Sequence, residues 1–160
     1  MVIGGTGFIG HHLVIALLEN NCQVNILDTK HGSDGKVKHL IRFGAKYFHG
    51  DITNYSDIAE AGNGCNHIVH LAAQTSVPES IQNPKLNNQV NIQGTKNVIR
   101  FANENNIEKL VFSSSAAIYG DCALNPIKEE YRGEIQSPYA VSKLQNEQDL
   151  LELLDDAIGV

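Results

Sequence analysis

Apolar positions between Phe8 and Leu17 recur at helical spacing, with Ile9, Leu13, Ala16 and Leu17 on one stripe, and Asn20 and Asn21 suit a helix end. QVNILD then alternates apolar and polar, and AKYFHGD repeats the form. Both read as short strands finishing at an aspartate. Thr53 or Asn54 is placed to cap a short helix through Ala61, with GNG closing it. HIVHLAA predicts a further strand, and the polar, proline-punctuated QTSVPESIQNPK after it reads as a loop. Leu86, Val90, Asn97, Val98 and Phe101 mark one face of a long helix interrupted by Gly94, a residue that weakens a helix unless close packing needs it. KLVFSSS predicts a fifth strand. After a loop from Ala116 to Gln136, SPYAVSKLQNEQDLLELL opens as a helix with Ser137 as N-cap and Pro138 at its first position.

Strands alternating with helices of this length imply a parallel sheet joined by right-handed crossovers, so the expected fold is a three-layer, Rossmann-like, doubly wound α/β domain spanning residues 1–160. Its ends are short. Met1, Val2 and Ile3 alone supply the first strand, where about 5–6 residues are usual, and AIGV reads as the next strand beginning.

Composition narrows the function. At 42% hydrophobic, the chain can bury one core, and its net charge of −6 without a Lys/Arg cluster argues against a nucleic-acid surface. A small anion remains admissible, because helix-end amides bind one without basic side chains. Cys22, Cys65 and Cys122 are odd in number and widely spaced, which fits a reducing compartment. No apolar run approaches the ~20 residues a membrane span needs and no signal-like segment opens the chain, so a soluble, cytoplasmic protein is expected. Of the seven histidines, His67 and His70 fall on opposite faces of a strand and His11 and His12 diverge on a helix. Structural or solvated roles are expected for all, and no metal.

The chemistry starts at GGTGFIGHHL, where Gly5, Gly7 and Gly10 make GxGxxG while Gly4, Gly7 and Gly10 make GxxGxxG. Spacing alone does not choose between them. Glycines between a strand and a helix allow a sharp turn, close approach to a pyrophosphate and tight helix packing, and the helix aims its free amides at the phosphates. Asp28 ends the second strand, where a carboxylate accepts both hydroxyls of an adenosine ribose and repels a 2′-phosphate, favouring NAD over NADP; Lys30 nearby softens that preference or is only a solvated charge. Asp51 and Ile52 end the third strand, placed to meet adenine, or Asp51 merely begins a turn. Ala72 and Ala73 are small enough for a cofactor to pass close, or serve packing. Tyr139 and Lys143, four apart, share a helix face. A phenol with a pKa of ~10 is a poor base at neutral pH unless an ammonium stabilises its anion. Ser115 at a strand end supplies a hydroxyl to bind the substrate oxygen.

These segments occur in the order one nucleotide site requires. IGGTGFIGHHLV, GDI, HLAAQTSV, VNIQGTKNVI, VFSSSAAIYG and SPYAVSK closely resemble the extended short-chain dehydrogenase/reductase family, in particular its NAD-dependent epimerases and dehydratases of nucleotide sugars, from Val2 to about Leu154. The resemblance implies that Gly4, Gly7 and Gly10 are the working glycines, with Phe8 and Ile9 between the second and third, and that Gly5 completes the other pattern by coincidence. It further implies that Asp28 binds the NAD ribose, that Asp51 and Ile52 contact adenine, and that Ala72, Ala73, Gln74 and Ser113 line the cofactor. Asn91 would steady the active-site helix region, and Ser115, Tyr139 and Lys143 would form the catalytic trio, with Lys143 also a ribose ligand. Dehydratases of this family usually carry acidic residues where Ala116 and Ala117 stand, so an epimerase like those of UDP-glucose is favoured over a dehydratase or reductase. Family members continue into a smaller domain that binds the sugar nucleotide, and the chain is expected to lack it. The expected partners are therefore a UDP-sugar, where that domain is supplied, and a second copy in a homodimer. The alternative is a non-catalytic NAD-binding module.

Overall fold

A computed structural model describes residues 1–155, 158 and 159. Five parallel strands form one sheet: β1 (Val2–Ile3), β2 (Asn25–Asp28), β3 (Lys46–His49), β4 (His67–His70) and β5 (Lys109–Phe112), in the order β3-β2-β1-β4-β5. The expected Rossmann-like α/β fold is what forms. β1 is central although only two residues long, because Val2 pairs with Ile26 on one side and Val69 on the other. The Met1 amino group extends that pairing by donating to the His67 carbonyl at 2.6 Å.

Successive side chains of β1 point to opposite faces, and each face has its own core. Val2 and Ile26 pack with Val14 of α1 (Phe8–Glu19) and with Leu40 of α2 (Gly35–Phe43). Ile3, Leu27, Ile68 and Leu110 face α3 (Tyr55–Gly62), α6 (Gly94–Glu104) and α7 (Pro138–Leu153), meeting Ile58, Val98, Phe101 and Leu150. At the open edge of β5, Gly159 bridges Lys109 in parallel, consistent with a strand beginning at AIGV; Ala157 and Val160 of that segment lie outside the described residues.

Local signals explain most element ends. Asn54 rather than Thr53 caps α3, and Ser137 caps α7 by accepting from the Ala140 amide at 3.1 Å, with Pro138 first in the helix. Four segments differ from expectation. Helix α2 forms between β2 and β3 where the hydrophobic pattern predicts no element; Asp34 caps it and Gly44, at φ +116°, ends it. The stretch that reads as a loop after β4 contains α4 (Val77–Gln82) and α5 (Pro84–Asn87), capped by Ser76 and Asn83. The long helix expected from Leu86 is a π-helical segment over Asn88–Gln93 that runs into α6. Gly94 is needed there, since a Cβ would lie 2.6 Å from Cγ1 and Cδ1 of Ile52. The loop expected from Ala116 to Gln136 begins with a 3-10 turn, Ala116–Tyr119.

Candidate cofactor and active site

β1 is flanked by β2 and β4, so the connections leaving the carboxyl ends of β1 and β4 depart to opposite faces and leave a crevice between them. A cleft of about 750 Å³ occupies that place. Its floor is the glycine loop. Gly4 has φ +81°, and a Cβ on it would lie 2.7 Å from the Ala72 amide nitrogen; on Gly10 a Cβ would lie 2.3 Å from the Gly4 carbonyl oxygen. Both positions therefore exclude side chains. Gly7 is less constrained sterically, since a Cβ there would meet only the Gly4 oxygen, at 3.2 Å, and it is exposed toward the cleft. Gly5 is not incidental, because a Cβ there would reach 2.7 Å from Ile26 Cγ2. It lets α1 sit down on β2, a packing duty the pattern does not reveal.

Gly7 is the N-cap of α1 and provides no side-chain cap, so the first-turn amides have no intrahelical partner and open on the cleft. Phe8 and Ile9 stand exposed beside them, a placement without sense for a helix that only had to fold. Across the loop, Asp28 accepts from the Thr6 amide at 3.0 Å through Oδ2 and from the Lys30 amide at 3.2 Å through Oδ1. An ionised carboxylate has about four acceptor sites, so two remain for a diol. Asp51 and Ile52 line the same cleft, and Asp51 also begins a turn, its Oδ1 accepting from the Thr53 amide at 2.8 Å. Ala72, Ala73 and Gln74 form the β4 side, and Ser113 the β5 side.

Tyr139 and Lys143 reach the cleft from the first turns of α7, both buried in the protein. Lys143 Nζ donates to the Ser113 carbonyl at 2.8 Å, and burial pushes its pKa down to about 8. The start of α7 is held by groups that the sequence pattern does not single out. Ser80 Oγ accepts from the Tyr139 amide at 3.2 Å, Asn87 Nδ2 donates to the Pro138 carbonyl at 3.1 Å, and Ser142 Oγ donates to the Tyr139 carbonyl at 2.7 Å. All three are buried, and Ser80 and Asn87 come from segments far from α7 in sequence. Their only local signal is a polar residue at a position that helix periodicity turns inward.

Two expected site residues stand off the cleft wall. Asn91 is buried behind it, its Oδ1 accepting from the Gln74 amide at 2.8 Å and its Nδ2 donating to the Gln74 carbonyl at 3.0 Å and to Ser142 Oγ at 3.2 Å. It ties the β4 loop to α7 instead of lining the cleft. Ser115 caps the 3-10 turn, its Oγ accepting from the Ala117 amide at 3.2 Å, while Ser114 lines the cleft and donates to Glu147. The hydroxyl hydrogen of Ser115 stays available, since capping uses only its acceptor side. No group of His, Cys, Asp and Glu among the described residues is arranged to hold a metal ion, and no helix among them is long and apolar enough to cross a membrane.

A doubly wound sheet with a glycine-floored crevice, an uncapped helix end and a strand-end acid defines a dinucleotide-binding α/β protein. The family follows from the comparison with known proteins: residues 1–158 match the NAD dependent epimerase/dehydratase family, and the chain belongs to it. A putative UDP-glucose 4-epimerase of Methanocaldococcus jannaschii is 36% identical over 100% of this chain and 52% of its own length. The UDP-glucose 4-epimerase of Haemophilus influenzae is 36% identical over 94% of this chain and 46% of its own. Among solved structures, Thermus thermophilus UDP-glucose 4-epimerase in complex with NAD superposes with TM-score 0.84 at 33% identity, covering 94% of this chain and 49% of that one. The Bifidobacterium longum enzyme in complex with NAD+ and UDP gives TM-score 0.84 at 31% identity, covering 94% and 47%. The chain spans about half the length of the relatives it matches.

Proposed function

We propose that this chain is the NAD-binding part of a UDP-sugar 4-epimerase, on the strength of one observation: the glycine loop, Asp28, Tyr139 and Lys143 open on a single cleft. The residues fit the cofactor. The α1 amides and the side-chain-free floor over Gly4, Gly7 and Gly10 would hold the pyrophosphate, Asp28 the adenosine ribose, and Asp51 and Ile52 the adenine. Gln74 and the small Ala72 and Ala73 would border the middle of the dinucleotide, with Ser113 near its nicotinamide end.

Bound NAD supplies a hydride acceptor and donor. The protein's part is proton handling: Tyr139 takes the proton of the sugar hydroxyl, Lys143 stabilises the negative charge that builds on its oxygen, and Ser115 donates a hydrogen bond to the same sugar oxygen. Return of the proton from Tyr139 completes the inversion after the sugar has turned. Ala116 and Ala117 leave the strand-end loop without the acid and base that an elimination would need, which favours epimerisation over dehydration. A homodimer and a cytoplasmic setting complete the reading by family likeness.

The test is UDP-glucose turnover by the purified chain supplied with NAD, with Tyr139→Phe as comparison. Interconversion abolished by the substitution supports the catalytic reading. NAD binding without turnover supports the cofactor site alone, the result expected of an NAD-binding part to which the substrate positioning that contributes a large part of the rate in such reactions is not supplied.

A further inference from the structure

Lys143 has a ring beside it as well as a carbonyl. Its Nζ lies 4.5 Å from the centroid of Phe112, the last residue of β5, and 2.8 Å from the carbonyl of Ser113, the next residue along. Behind Phe112, on the neighbouring strand, His70 packs its ring 5.6 Å away at a tilt of 52°. His70 is itself fixed, Nε2 pairing with Thr95 Oγ1 of α6 at 3.1 Å.

We propose that Phe112 is a positioning residue for Lys143: its ring face and the Ser113 carbonyl form a two-walled cradle that holds the ammonium at the cleft, with His70 fixing the ring from behind. The inference deepens the role given to Lys143 above and rests on that reading. An ammonium has three donors. The Ser113 carbonyl takes one and the electron-rich ring face attracts the charge as a whole, which leaves donors for a ribose hydroxyl and for the Tyr139 oxygen. A leucine of similar bulk would give the same apolar wall without that attraction, so the ring does more than exclude water.

Titratable groups around the ammonium include Tyr139, one turn earlier on α7, Glu147, one turn later and engaged by Ser114 and Arg132, and His70 on β4; Phe112 and Ser113 contribute none from β5. Burial, with Lys143 nearby, pushes His70 down to about 3, so its ring stays neutral over the working range and does not repel the ammonium. Lys143 titrates near 8 for want of solvation. The ring face works against that loss by favouring the charged form.

The experiment follows the ε-carbon of Lys143 by NMR through a pH titration of the 160-residue chain labelled with 13C-lysine, the signal being assigned by its disappearance in Lys143→Arg. Position 112 carries phenylalanine, then mono-, di- and trifluorophenylalanine, which keep the ring's shape while draining its face of electron density. The expected result is a stepwise fall of the Lys143 midpoint, about one unit over the series, matched by Phe112→Leu. A midpoint that does not move along the fluorinated series overturns the proposal, and these near-isosteric residues keep the test open even if Phe112→Leu fails to fold. NAD affinity is measured on the unsubstituted chain by calorimetry. Absence of NAD binding there overturns the cofactor reading, while the fluorine series still decides what Phe112 does.

Discussion

Two glycines of one loop make different demands, and substitution separates them. Gly10→Ala would set a methyl against backbone atoms of Gly4 and Gly5 that cannot step aside, so α1 must lift from the loop. We predict a loss of about 2–4 kcal/mol in denaturant unfolding together with loss of NAD binding. Gly7→Ala meets one oxygen at 3.2 Å and has an ordinary φ of −64°, so the fold should lose less than about 1 kcal/mol while the methyl intrudes where the pyrophosphate would approach. Affinity falling much more than stability at position 7, and both falling at position 10, is the expected pattern. Equal stability losses at the two positions would contradict it.

At the scale of elements, two of the contacts that join α6 to the site can be tested by substitution. Gly94 allows Ile52 to lie against the helix, and Gly94→Ala would push the Ile52 side chain toward the cleft. Alanine gains up to about 1 kcal/mol of helix propensity, but the clash costs about 1–3 kcal/mol, so a net loss with weaker NAD binding is predicted. Adding Ile52→Val should recover part of both, and a double-mutant cycle showing no coupling would refute the contact. The second contact is His70 to Thr95. Unfolded, this imidazole takes a proton near 6.5, but folded only near 3. Between those values the unfolded chain binds more protons, so stability falls as pH drops through that window, by up to roughly 5 kcal/mol from this group. His70→Leu should flatten the acid limb of a stability–pH curve, and an unchanged limb would show that His70 is not its source.

The same elements show what is legible in the sequence. Strand ends, the glycine loop, Asp28 and the capped start of α7 are written in short local patterns, and the fold brings them together. Helix α2 escapes such a reading because only Val37, Leu40, Ile41 and Phe43 interrupt a polar run; its stability comes from burying Val37 and Leu40, which no local propensity records. The prolines that make the segment after β4 look like a loop sit in the first turns of α4 and α5, where proline is tolerated. Ser80, Asn87, Phe112 and His70 cannot be found from spacing, since their partners lie on other strands and helices. Asn91 and Ser115 are found by likeness; hydrogen bonds to the Gln74 backbone and Ser142 hold Asn91 behind the cleft wall, while Ser115 caps the 3-10 turn after β5.

For the molecule as a whole, cofactor binding and folding are linked. A ligand that binds only the folded chain, at a hundred times its dissociation constant, stabilises it by about 2.7 kcal/mol, so NAD should raise the unfolding midpoint by several degrees in a thermal scan. An unmoved midpoint at saturating NAD would contradict a preformed cleft. Val111, Val141 and Leu151 also leave apolar surface uncovered, the last 84% exposed, and sedimentation of the 160-residue chain is expected to show self-association; a monomer at all concentrations would contradict that. The glycine floor and Asp28 are expected to form one dinucleotide site selective for NAD. Calorimetric titration of the chain and of Asp28→Ala with NAD and with NADP tests it most directly. The unsubstituted chain should prefer NAD, and Asp28→Ala should lose about 10–100-fold in NAD affinity and most of its discrimination, as expected for removing charge-assisted hydrogen bonds. A folded chain that binds neither dinucleotide, or an Asp28→Ala chain that binds NAD as before, would contradict it.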